Sequence, residues 1–233
     1  MNAQDSSLKS YSPYSGQEES CFIEGESGLL YPGVRIENIS YPLTISSVQA
    51  ALCSCLGNGD TPARYYSKMN DPELLQWWAS RYGFEIMRNL PEKSDFYNPV
   101  TEPSEIPSIP AFLEQLISNA VTIHSNFPVS ALILTESGYV SGVNVEVPAW
   151  SLGLCAERVA LARAVSHGLT TFYTISICAP KSEFCSPCGA CRQVLNEFMP
   201  DATAELHHSS SALSRHFVSD LLPYSIITYA LKK

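Results

Sequence analysis

Four residues in the second half of this chain have the types and spacing that metal chemistry needs. They are Cys155 and Glu157, followed by Cys188 and Cys191 within Pro187-Cys-Gly-Ala-Cys. Three thiolates are soft ligands suited to one Zn²⁺ per chain, and three protein ligands leave the fourth tetrahedral position open to water. Both clusters fall where helices are expected to begin. Free N–H groups and the positive end of the helix dipole there lower thiol pKa and help balance the negative sulfurs. Glu157 lies two residues past a ligand and can face metal-bound water without being a ligand, the placement of a proton shuttle. Arg158 follows directly and could donate hydrogen bonds to the thiolates, offsetting their charge.

The elements that must hold these residues can be read around them. Residues 111–124 place Phe112, Leu113, Leu116, Ile117 and Val121 at helical spacing. Residues 127–147 read as two strands joined by a turn at Ser137-Gly138. A helix is expected over 155–168, stopped by Gly168, then a buried strand over 172–180. A second helix is expected over 187–199 with Pro187 at its first position, then a strand at 203–208 and a terminal helix or turn at 214–224. The order αββαβαβα defines a three-layer α/β fold.

The first half repeats this plan without its chemistry. Residues 35–52 set over 144–161 without gaps share a hydrophobic rhythm, but Ser46 and Val48 stand where Cys155 and Glu157 stand later. Ser15 matches Ser125, Gly28 matches Gly138 and Gly33 matches Gly142. If Pro72 stands for Pro187, Glu73 and Gln76 replace the other two cysteines, and residues 73–83 stand for the matching helix segment. The expected organisation is a tandem duplication. Residues 1–90 form a degenerate, non-catalytic repeat with no counterpart to the 111–124 helix. Residues 91–110, with five prolines, form a linker, and residues 111–233 form the catalytic domain.

Composition narrows the partners. A net charge of −9, from 14 Lys+Arg against 23 Asp+Glu, with no basic stripe, disfavours nucleic acid and fits a small uncharged ligand. The start MNAQDSSLKS has no signal-peptide pattern, and no apolar run is long enough to span a bilayer, so a soluble, cytoplasmic protein without membrane contact is expected. The chain is too long and core-rich for its eight cysteines to form a disulfide scaffold. A closed structural zinc site would need a fourth ligand, with Cys185 the nearest candidate. The stiff Ser186-Pro187 step works against folding Cys185 back onto the same ion.

Taken together, Ser125-Asn-Phe127-Pro-Val129, Gly142-Val-Asn144-Val-Glu146, Cys155-Ala-Glu157-Arg158, the run from Ser186 to Gln193, and Leu221-Leu-Pro-Tyr224 cover nearly all of 111–226. In this order and spacing the chain resembles the cytidine deaminase family, in its duplicated two-domain form with a degenerate N-terminal copy. The signature of zinc nucleobase deaminases has the same form. The resemblance implies a three-layer α-β-α cytidine-deaminase-like fold, tandem duplicated, and hydrolysis of cytidine and 2′-deoxycytidine in pyrimidine salvage. It implies that Asn144 and Glu146 would hydrogen-bond the ribose, Phe127 would pack against the nucleoside, and Ala156 would line the site. The Ser186 carbonyl would receive the departing amino group, and Glu157 would protonate N3 and then the leaving ammonia. It further implies a homodimer with the active site near the subunit interface, where Tyr41 would reach the partner's pocket. Two positions depart from the family pattern: Val147 replaces Asn and Ser130 replaces Gly. They keep open a modified cytosine nucleoside, such as an antibiotic, as substrate. A non-catalytic zinc scaffold is the other alternative. A polynucleotide editor is disfavoured by Cys155 and the acidic charge.

Overall fold

The structure, a computed structural model, describes residues 8–67, 74–91, 95–209 and 212–225. Its first unit contains β1 (Ser20–Gly25), β2 (Leu29–Val34), α1 (Ser47–Leu56), β3 (Pro62–Tyr66), α2 (Leu75–Tyr82) and β4 (Glu85–Met87). Two short strands follow, β5 (Asp95–Phe96) and β6 (Val100–Thr101). The second unit contains α3 (Ile109–Leu116), β7 (Ser130–Thr135), β8 (Gly138–Val143), α4 (Ala156–Ser166), β9 (Phe172–Cys178), α5 (Gly189–Phe198), β10 (Thr203–His207) and β11 (Leu213–Phe217). Among the described residues, no helix is long and apolar enough to cross a membrane.

The two sheets share a four-strand core of one topology. The first runs β4-β3-β1-β2-β5 and the second β11-β10-β9-β7-β8-β6. In each, an antiparallel hairpin pairs antiparallel with the next strand, and that strand pairs parallel with the one beyond it. Gly28 and Gly138 both take positive φ, 84° and 129°, at the hairpin turns, a conformation that suits glycine. Pro72 and Glu73, the proposed partners of Pro187 and Cys188, lie outside the described residues.

Three expectations from the sequence need correction. Residues 91–110 are not a free tether: β5 extends the first sheet beside β2, and β6 extends the second beside β8. Residues 214–224 begin as strand, because β11 closes the edge of the second sheet against β10 before a short 3-10 turn at Ser219–Leu221. The helix expected over 111–124 spans only Ile109–Leu116 with one further 3-10 turn, since Val121 leaves it to bridge Val145.

Layering differs between the units. Alternation along β7 sends Ala131 and Ile133 to α4 and α5 and Leu132 to α3, giving three layers. In the first unit Cys21 and Ile23 face α1. Phe22 on the opposite face is covered by Leu90 and Phe96 rather than by a helix. The shortened repeat therefore fills its third layer with the segment that joins the units.

α1 and α4 pack together between the two sheets, in a core that draws on both units. Their hydrogen bonds are reciprocal. Gln49 Nε2 donates to the Leu152 carbonyl at 2.7 Å, and Arg158 Nη2 donates to the Leu43 carbonyl at 3.1 Å. Gln49 and Arg158 are equivalent positions of the repeat, as are Leu43 and Leu152. Where one position meets its own equivalent, Arg163 Nε and Nη2 donate to Ser54 Oγ and the Ser54 carbonyl at 3.1 and 2.7 Å. Such pairing marks a pseudo-twofold axis through the chain.

Candidate active site

Helices α4 and α5 bring the cysteines together. Cys155 is the N-cap of α4 and Cys188 the N-cap of α5, both in extended conformation, with Cys191 in the first turn of α5. Pro187 thus lies just outside the helix rather than at its first position. The Sγ atoms of Cys155 and Cys188 are 3.7 Å apart and those of Cys188 and Cys191 are 3.6 Å apart. Thiolates about 2.3 Å from a tetrahedral zinc would lie about 3.8 Å from one another, so the donor set fits the ion in chemistry and spacing. Cys191 is buried, Cys155 is half-buried and Cys188 is exposed, which leaves one side of the cluster accessible.

Helix α4 can approach this closely because β8 carries Gly142 beneath its first turn. A Cβ there would come within 3.0 Å of the Ala156 carbonyl oxygen and of the Ala160 amide and Cα. Gly33 serves the same approach of α1 to β2, against Ser47 and Ala51.

The sulfurs differ in acidity. Its neighbours Cys155 and Cys191, with the N–H groups of Cys191 and Ala190, hold the Cys188 thiol far below its ordinary value. The contact with Cys188 pushes Cys155 up, and the contacts with Cys155 and Cys188 push Cys191 up. Glu157 stands in the first turn of α4 and is 3% exposed. Burial pushes its carboxyl up to about 7, and the Cys188 charge pushes in the same direction.

Cys185 takes no part in the cluster. Its thiol is buried against the Ile177 carbonyl at 3.6 Å. Arg158 directs Nη2 to Leu43 of the first unit, and its Nε is buried without a hydrogen-bond partner. The guanidinium thus anchors α4 to the blank unit instead of capping the thiolates by hydrogen bonds.

The expected substrate residues form one loop system. Asn144 Oδ1 accepts from the Val129 amide at 2.7 Å, and its Nδ2 donates to the Phe127 carbonyl at 3.0 Å. Glu146 accepts from the amides of His124 and Ser125 and from the Ser125 hydroxyl. Phe127 is 37% exposed and Ala156 is buried. In the blank unit Glu37 makes the same bonds to Tyr14 and Ser15, so this carboxylate–turn pairing is part of the fold as well as of any binding role. Ser130 donates to the Leu113 carbonyl, tying β7 to α3, and Val147 is buried in the core shared by both units.

Arg192 was not singled out in the sequence. Its Nε donates to the Pro187 carbonyl at 2.9 Å and its Nη2 to Ser186 Oγ at 2.7 Å, holding the loop before Cys188. A basic side chain next to a ligand cysteine was the available signal. Lys181, which donates to Asn126 at the other loop, left none.

A three-thiolate cluster opening two helices, beside a buried carboxylate on an α/β sheet, defines a zinc-dependent hydrolase site. Residues 109–204 match the family model described as the cytidine and deoxycytidylate deaminase zinc-binding region. A cytidine deaminase from Sporosarcina psychrophila is 46% identical over 76 residues, covering 32% of this chain and 56% of that protein. One from Halalkalibacterium halodurans is 37% identical over 111 residues, covering 47% of this chain and 84% of that protein. A solved cytidine deaminase from Burkholderia pseudomallei aligns at 31% identity over 51% of this chain and 99% of its own, with a TM-score of 0.48. The chain belongs to the cytidine deaminase family.

Proposed function

We propose that the chain hydrolyses cytidine and 2′-deoxycytidine to uridine and 2′-deoxyuridine with release of ammonia, as in pyrimidine salvage. The observation that carries this reading is the buried Glu157 beside three sulfurs at zinc-ligand spacing. Zinc, when held by Cys155, Cys188 and Cys191, supplies the Lewis acidity that makes a nucleophile of water near neutral pH. Glu157 takes the proton of the attacking water and gives it to N3. It then passes a proton to the exocyclic amine as C4 gains oxygen and loses ammonia. Asn144 and Glu146 receive the ribose, Phe127 covers the nucleoside, and the Ser186 carbonyl accepts from the departing amino group. Arg192 holds that carbonyl's loop in place. The burial of Val147 accounts for one departure from the family pattern by packing between the units.

The chain is further proposed to pair as a homodimer, with Tyr41 meeting the partner's pocket. Tyr41 is 83% exposed at the start of a 3-10 turn, and its repeat equivalent Trp150 is 66% exposed. The test of the activity is the ultraviolet absorbance change on mixing the zinc-loaded protein with cytidine. Wild type should deaminate it, and Glu157→Ala should not while retaining zinc. Wild-type turnover in Glu157→Ala would refute the role of this carboxylate, and inertness of the loaded wild type toward both nucleosides would refute the substrate.

A further inference from the structure

The first unit also grips α5, through a carboxylate near the end of that helix. Glu197 lies in the last turn of α5, on the helix whose first turn carries the zinc ligands. Its carboxylate accepts from the hydroxyls of Tyr11 and Tyr14 at 2.9 and 2.6 Å and from the Ile39 amide at 2.8 Å. Tyr11 also packs on Phe198, with ring centroids 4.5 Å apart. All three donors belong to the first unit. A carboxylate at a helix C-terminus opposes the helix dipole and destabilises the helix unless something offsets it. Here three donors do.

The repeat provides its own control. The positions equivalent to Tyr11, Tyr14 and Ile39 in the catalytic unit are Val121, His124 and Pro148. The first has no hydroxyl, and the last has no N–H to donate. His124 turns its ring to the Val147 carbonyl. The set of donors therefore exists only in the unit without chemistry. In the catalytic unit the matching segment is the turn beside Ser125 and Phe127, whose polar groups are joined to Glu146. What one copy keeps as a substrate-loop turn, the other has rebuilt as a socket.

We propose that Glu197 is a positioning residue for the zinc ligands, its socket of Tyr11, Tyr14 and Ile39 fixing the tail of α5 and so the setting of Cys188 and Cys191 at its head. α5 has ten residues, about 15 Å of rigid rod, so a shift at its tail is carried to its head. α4 is anchored to the same unit through Arg158–Leu43 and Arg163–Ser54. The distance from Cys155 to Cys188 is thus referred to a common frame, the first unit. The proposal rests on the metal site and not on the nucleoside assigned above.

Full-length, zinc-loaded Glu197→Ala and Glu197→Gln are mixed with a chromogenic chelator and zinc release is timed. The cobalt-loaded forms report thiolate geometry through their sulfur-to-metal absorption band. Loss of a supporting shell around a metal site typically weakens it about 10- to 100-fold. Glu197→Ala should therefore release zinc at least about tenfold faster, with an altered cobalt band. Glu197→Gln, whose amide oxygen can still accept from both tyrosines, should be intermediate. Wild-type release from Glu197→Ala, even with a lowered melting temperature, would overturn the proposal and leave a seam contact only. If Glu197→Ala does not fold, Tyr11→Phe/Tyr14→Phe, which keeps the carboxylate, decides on the same readout. A zinc-loaded wild type inert toward cytidine would refute the substrate and leave this test standing, whereas wild-type zinc release from Glu197→Ala refutes this role whatever its turnover.

Discussion

A methyl group added at Gly142 should separate two consequences of one steric event. The new Cβ would fall within 3.0 Å of the Ala156 carbonyl oxygen and the Ala160 amide, both backbone atoms that cannot rotate away. α4 must therefore withdraw from β8 by at least about half an ångström, and such overpacking costs about 3 kcal/mol at the upper end of the usual range. For a chain of this size that is a melting temperature lower by about 6–12 °C. Gly33→Ala forces the same withdrawal of α1 from β2, against Ser47 and Ala51, and should cost a similar amount. The two differ in degree at the metal, because Gly33→Ala reaches Cys155 only through the α1–α4 seam and should disturb it less. Ala156 adjoins Cys155, and metal–ligand distances tolerate only about 0.2 Å. Gly142→Ala should lose zinc to a chelator about 10- to 100-fold faster than wild type, and Gly33→Ala should lose it more slowly than Gly142→Ala. Calorimetry and timed zinc release on the two variants decide the matter. Equal release from both would refute the link between this glycine and the ligand geometry, and an unchanged melting temperature in either would refute the close approach itself.

Two further outcomes are expected. Burial pushes the Glu37 carboxyl up, but the Ser15 hydroxyl, the amides of Ser15 and Tyr14, and Arg35 outweigh it and hold the group below its ordinary value. A carboxyl lowered in the folded state stabilises above the unfolded value of about 4.3, and that stabilisation is lost as pH falls through the folded value. The gap in urea midpoint between wild type and Glu37→Gln should thus shrink as pH drops from neutral toward 3, and a constant gap would show that charge is not involved. If Tyr41 closes a partner's pocket, Tyr41→Ala should raise KM for cytidine several-fold with full zinc content. An unchanged KM would sink that assignment.

The metal cluster and the catalytic helices were legible because they are local. A ligand pair three residues apart opening a helix, and a turn between alternating strands, are patterns that sequence carries directly. The network between the units was not legible, since Glu197 and Tyr11 are separated by 186 positions and their pairing has no local signature. Arg158 was read only toward the thiolates, and Arg163 was not singled out at all. Charged residues on a helix suggest a solvated face, yet α4 is buried nearly all round, because one side meets a sheet and the other meets α1. Strands β5 and β6 were hidden for a different reason. Two-residue strands among prolines have no periodicity to read, and they form because each sheet offers an unpaired edge.

The meeting of Arg163 with Ser54 bears on why the two copies share one chain. In a dimer of identical subunits, a residue on the axis faces itself. Two catalytic units joined in this way would set Arg163 against Arg163, two buried like charges with no carboxylate recorded between them. Fusion removes that constraint, because a change on one side of the axis is no longer repeated on the other. Ser54 can be small and accepting while Arg163 is large and donating. By the same freedom, Ile39 could retain an N–H where Pro148 has none. Covalent linkage also makes their association independent of concentration. Joining the copies thus lets the two sides of the axis differ, and the buried Arg163 leaves the second unit poorly suited to pairing with itself through this face.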